Sequence, residues 1–187
     1  FQVGVLNLQG SLCSDHASRV LSDIAETILQ CLYTRVADEF ARNHGVIEGS
    51  EMAVVALGRL GSREMTTSSD LDLVFIYNAQ PGTEYSDGLK PLPPTQYYAR
   101  LGLRLINAIT VLTAEGSLYE VDMRLRPSGK QGPVATSWPS RSTRTIPRTT
   151  KYAPSPCSPL RRITSPAATW RSRVRPAISV SSSGASP

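Results

Sequence analysis

Beyond Asp122 the chain contains no aspartate or glutamate: all 15 acids lie between Asp15 and Asp122. Residues 1–136 hold 11 Lys and Arg against those 15 acids, a balance of −4, whereas residues 137–187 hold nine and no acid, a balance of +9. The formal +5 therefore averages two unlike pieces. Cysteine is scarce and scattered, at Cys13, Cys31 and Cys157. Without C-x-x-C spacing this excludes a disulfide framework or a zinc site and fits reduced thiols in a cytoplasmic protein. The two histidines, His16 and His44, have no sequence neighbours that suggest metal binding or base catalysis, and they read as surface or capping residues. No apolar run is long enough to cross a bilayer. The start, FQVGVLNLQG, lacks the basic region and cleavage site of a signal peptide. It also lacks an initiator Met, so the chain is expected to be a fragment of something longer.

What is present is a sequence of alternating element signals. Residues 14–43 predict a long helix capped by Ser14, with Val20, Ile24, Ile28, Leu32, Val36 and Phe40 as its buried stripe and Gly45 as its stop. MAVVAL, 52–57, predicts a strand, followed by a glycine-containing turn over 58–69 and a second strand, DLDLVFIY, over 70–77. The Pro- and Gly-rich stretch 78–94 predicts a loop. A second helix is expected over 95–114, burying Leu101, Leu105, Ile109 and Leu112 and ending at Gly116. SLYEVDMRL, 117–125, predicts a third strand, and RPSGKQGP, 126–133, a basic turn-rich loop. Tyr77, Tyr97, Tyr98 and Tyr119 read as packing residues. The first two strands are close in sequence and expected to be antiparallel, in an α/β domain whose small mixed sheet is flanked by helices.

Asp70 and Asp72 open the second strand. Successive strand side chains alternate faces, so the two acids project together while Leu71 and Leu73 point into the core. Adjacent carboxylates repel, and more so when partly buried. A divalent cation between them removes the conflict, and magnesium accepts one or two carboxylates together with water and phosphate oxygens. Holding two ions calls for a third acid. Asp122 on the third strand is the candidate, with Glu120 and Arg124 on its face and Val121, Met123 and Leu125 on the other. Two ions about 3.5–4 Å apart can activate an attacking oxygen and stabilise a leaving one.

The turn before these acids carries Gly58 and Gly61. Glycine permits close backbone approach and positive φ, and turn amides can cradle an anion. The Ser62 hydroxyl can donate to a phosphate oxygen. Arg59, Arg63, Arg124, Arg126 and Lys130 supply the positive charge that an ATP triphosphate requires. Separately these features are common. Together, a strand, a Gly-Ser turn, D-x-D on the next strand and a third strand aspartate form the pattern of the nucleotidyltransferase superfamily that includes DNA polymerase β.

The blocks GRLGSREMTTSSDLDLVF and LYEVDMRLRPSGKQGPVATS resemble the catalytic region of bacterial glutamine-synthetase adenylyltransferase, over about residues 1–136. The resemblance implies a large cytoplasmic enzyme with two related nucleotidyltransferase domains. One attaches AMP from ATP to a tyrosine of glutamine synthetase; the other removes it by phosphorolysis, giving ADP. A PII signal protein and glutamine regulate the balance. Y-E-V-D-x-R-L-R-P-S-G is similar to the C-terminal, AMP-adding domain. By position, the resemblance makes Asp70, Asp72 and Asp122 the metal-binding and catalytic acids and places Gly61 and Ser62 near the phosphates. Arg59 stands where the family usually has lysine, and Ser62 where it usually has glycine. The removing activity, a PII uridylyltransferase and an inactive regulatory fragment of a disrupted gene remain as alternatives.

From Ser137 the chain changes character: 51 residues include 12 Ser, eight Pro and six Thr. Such a segment buries too little apolar surface to offset its ordering entropy. It is read as a disordered basic tail and, from its abrupt loss of acids, as out-of-frame translation. A nucleic-acid-binding arm is the rival; the scattered cations and few aromatics, Trp138, Tyr152 and Trp170, do not favour it.

Overall fold

A computed structural model describes residues 2–124, 132–138 and 161–164. The chain begins with α1, Gln2–Leu8, and the long α2, Ser14–His44. Strand β1, Glu51–Ala56, leads into the short helix α3, Gly58–Ser62, and then β2, Leu71–Asn78. Helix α4, Pro94–Thr110, follows the proline-rich loop. Three short strands complete the order: β3, Val121–Asp122; β4, Ala135–Ser137; and β5, Arg161–Thr164.

Strand β2 is the centre of a mixed sheet. It pairs antiparallel with β1, from Ala56↔Leu73 to Glu51↔Asn78. On its other flank it pairs in parallel with β3 at Leu71↔Val121 and Asp72↔Asp122, and with β4 at Phe75↔Ala135 through Tyr77↔Ser137. The chain leaves that flank at 123 and rejoins it by 135. β5 pairs antiparallel with the outer side of β1. Five residues of the expected unstructured tail thus lie in strands, Ser137 in β4 and 161–164 in β5; most of the remainder lies outside the described residues.

The alternation in β1 and β2 produces the core. Met52, Val54, Ala56, Leu71, Leu73, Phe75 and Tyr77 are buried on one face, with Leu29 and Phe40 of α2 and Leu101, Leu105 and Ile109 of α4 in the same cluster. Tyr77 stacks on Tyr98 with centroids 4.6 Å apart, and Tyr97 donates from its hydroxyl to the Gly45 carbonyl at 2.9 Å. These tyrosines are packing residues, as expected, and burial raises the phenol of Tyr98 to about 12.

Several expectations need correction. Ser14 does not cap α2: Cys13 occupies that position, and no side chain makes a cap bond. The buried face of α2 is Ala17, Ser22, Ala25, Leu29, Phe40 and His44, whereas Ile24 is 40% exposed. A strict four-residue spacing advances about 40° per step, so over five steps the anticipated stripe winds about 200° around the helix. His44 is not a surface residue; it is buried, and its Nδ1 donates to the Lys90 carbonyl at 2.7 Å. The turn at 58–62 is helical. Helix α4 ends at Thr110 after the β-branched run Ile109-Thr110-Val111, a poor continuation for a helix. Thr113 and Gly116 then close a tight turn, leaving Leu112 80% exposed. The third strand has two residues rather than nine.

Candidate nucleotide and metal site

The burial of Leu71 and Leu73 turns Asp72 to the opposite face of β2, where it is half-buried. Asp70 lies just before the strand and is exposed. The parallel register makes Asp122 the direct neighbour of Asp72 on β3. The Leu71 amide donates to the Glu120 carbonyl at 2.9 Å, and the Leu57 amide donates to the Asp72 carbonyl at 2.9 Å, fixing both flanks at this level. The three acids share one electrostatic field. Partial burial, then Asp70, then Asp122 raise the Asp72 carboxyl above the usual aspartate range, while Arg124 opposes the rise.

Gly58 has φ +53°, and a Cβ there would collide with Asp72 Oδ2. The close neighbour that requires this glycine is thus the acid itself. Gly61 is buried, and its amide donates to the Leu57 carbonyl at 3.0 Å. Ser62 Oγ donates to Glu64 Oε2 at 3.0 Å. Arg59 Nη1 donates to Thr66 Oγ1 at 3.2 Å, and Thr66 Oγ1 lies 2.8 Å from Ser69 Oγ. This hydroxyl network links the turn to the residue preceding Asp70. Its sequence signal was the polar run TTSS, which composition alone reads as loop.

The cations are placed unequally. Arg63, expected near phosphate, is paired with Asp23 and Glu26 of α2. Arg124 is paired with Asp122: its amide donates to Asp122 Oδ1 at 2.8 Å and its Nε to Oδ2 at 2.6 Å. That pairing raises the Arg124 guanidinium further. Arg126 and Lys130 lie outside the described residues.

Three carboxylates offer hard oxygen ligands of the kind magnesium takes. Among the described residues, however, no group of three or more His, Cys, Asp or Glu side chains is assembled as a ready metal cage. Arg124 engages both oxygens of Asp122. The acids thus have the ligand chemistry of a divalent-ion site, while Asp122 is engaged by Arg124.

Residues 1–143 match the model of the glutamate-ammonia ligase adenylyltransferase family, and the chain belongs to that family. The match runs a few residues past the boundary expected at 136. The chain is 50% identical over 137 residues to a bifunctional glutamine synthetase adenylyltransferase/adenylyl-removing enzyme of Bradyrhizobium diazoefficiens, covering 73% of this chain and 14% of that protein. Proteins of the same description from Brucella suis (49% identical) and Mesorhizobium japonicum (48%) match over 136 residues, with the same coverage of each chain. The chain thus spans about 14% of the length of these relatives. No helix among the described residues is long and apolar enough to cross a membrane.

Proposed function

We propose that residues 1–136 form a DNA polymerase β-like nucleotidyltransferase unit that moves AMP from MgATP to a tyrosine of glutamine synthetase, in a cytoplasmic enzyme regulating nitrogen assimilation under a PII signal protein. The observation that carries this reading is the register Asp72↔Asp122, with Asp70 two residues earlier and all three carboxylates in one field. The family relationship to glutamine synthetase adenylyltransferases supports the donor and the acceptor.

Asp70, Asp72 and Asp122 would hold magnesium, two ions by this reading. Bound there, the metal supplies charge neutralisation for the triphosphate and the departing pyrophosphate. The chain's own part is positioning. Gly58 lets Asp72 seat against the turn, and Gly61 and Ser62 present that turn to the nucleotide. Arg124, Arg126 and Lys130 complement the phosphates, so Arg124 exchanges Asp122 for substrate. Asp122 takes the tyrosine proton or orients the attacking oxygen.

The relatives are also described as adenylyl-removing, so the direction of transfer is part of the test. The full chain is titrated with ATP with and without magnesium, then incubated with α-labelled ATP and glutamine synthetase. Magnesium-dependent binding and label on the acceptor are expected, both lost in Asp70→Asn with circular dichroism unchanged. Near-normal transfer by Asp70→Asn overturns the assignment. Phosphate-driven release of ADP from adenylylated glutamine synthetase, without forward transfer, reverses the direction, and labelling of PII from UTP replaces the donor and acceptor by those of uridylyl transfer.

A further inference from the structure

We infer that Arg63 is a positioning residue: anchored on Asp23 and Glu26, it holds α3, and through Gly58 the Asp72 carboxylate, in the arrangement that receives nucleotide. This rests on the functional reading above. Among the described residues Arg63 is the only non-glycine with positive φ, 64°. It follows the last residue of α3, where its amide closes the helix onto the Arg59 and Leu60 carbonyls. Glycine is the usual resident of that conformation, because a Cβ is strained there. An arginine therefore needs a gain from its side chain.

That gain is visible on α2. Asp23 and Glu26 are three residues apart, hence on one face of the helix, and both pair with the Arg63 guanidinium, Glu26 at 3.9 Å. The Glu26 side chain is only 14% exposed, and next to it Ala25 is fully buried. The anchor is thus part of a helix fixed in the core. At the other end of α3, Gly58 lies against the Asp72 carboxylate and the Leu57 amide bonds the Asp72 carbonyl. Five residues of helix are held by the acid strand at one end and by α2 at the other, with Leu60 buried between. Displacement at Arg63 is transmitted to Asp72.

Three variants of the full chain test this: Arg63→Gly, which suits the backbone and removes the guanidinium; Arg63→Lys; and Asp23→Asn with Glu26→Gln. The readouts are magnesium-dependent ATP affinity and hydrogen exchange of amides 57–62. Arg63→Gly and the acid variant should each weaken ATP about three- to tenfold, with the combined variant no worse than either, because they break one contact. Lysine should restore part of the loss. Exchange at 57–62 should quicken while β1 stays protected. Unchanged exchange in Arg63→Gly overturns the proposal. So does an acid variant that binds ATP as tightly as the parent while Arg63→Gly does not, since Arg63 would then be a phosphate ligand itself. A parent chain that binds no ATP refutes the functional reading alone, and exchange at 57–62 then decides the clamp.

Discussion

The stretch from β1 to β2 and the stretch from Val111 to Trp138 both deliver acids to the site, but they are built differently. In the first, every second residue of β1 from Met52 and the leucines flanking Asp72 are buried, and the two strands pair over six residues each. In the second, β3 has two residues, Leu112 and Leu118 are exposed, and Asp122 is held by its own neighbour Arg124. Asp72 is therefore fixed by a strand with a buried face. Asp122 is held by a two-residue register and by the charge of Arg124.

That contrast can be broken or sharpened by substitution. Phe75→Ala, at a fully buried position of β2, should cost about 3–5 kcal/mol, whereas Leu118→Ala should stay within about 0.5 kcal/mol. Urea denaturation compares them, and equal costs would erase the distinction. Asp72→Asn should lower AMP transfer at least a hundredfold, about 2.7 kcal/mol in the barrier, without loss of fold, as measured by initial rates alongside circular dichroism. Gly58→Ala should cost about 1–3 kcal/mol from backbone strain and contact with Asp72. Gly116→Ala, with positive φ but open space around it, should cost only the backbone part, about 1 kcal/mol. Thermal melts of the two variants rank them. Arg124→Gln should leave the melting temperature near the parent's in the same scans, because the guanidinium is exposed.

The smallest effect is in pH. The folded state holds the Asp72 proton more tightly than the unfolded chain does. Stability should therefore fall as pH rises from the ordinary aspartate value of about 3.9 through the raised one. Magnesium, favouring the ionised form, should flatten that slope, and so should Asp72→Asn. The difference in urea midpoint between the parent and Asp72→Asn across this window measures it, and a difference that changes with pH in the opposite sense would contradict the shared field.

The sequence legible in advance was the part governed by alternation. MAVVAL and LDLVFIY give their inward faces directly, and with them the outward face of Asp72. Legibility failed where tertiary partners decide. The α2 stripe could not be followed because several alternative rows of apolar residues wind around so long a helix. The length of β3 depends on β2 offering only Leu71 and Asp72 as partners. The engagement of Arg63 depends on Asp23 and Glu26, about forty residues upstream, which no local pattern connects to it. Asp122 was singled out as the acid of the next strand, and β3 pairs it with Asp72.

The parallel flank of β2 is made of two separate pieces, β3 beside its start and β4 beside its end, with the chain departing and returning between them. Each piece has its own backbone anchors, Leu71–Glu120 on one side of the gap and Tyr77–Trp138 on the other. Lengthening the intervening segment would cost only the slow logarithmic growth of closure entropy. Insertions between the two pieces would therefore leave both strand anchors, and the register of Asp72 with Asp122, in place.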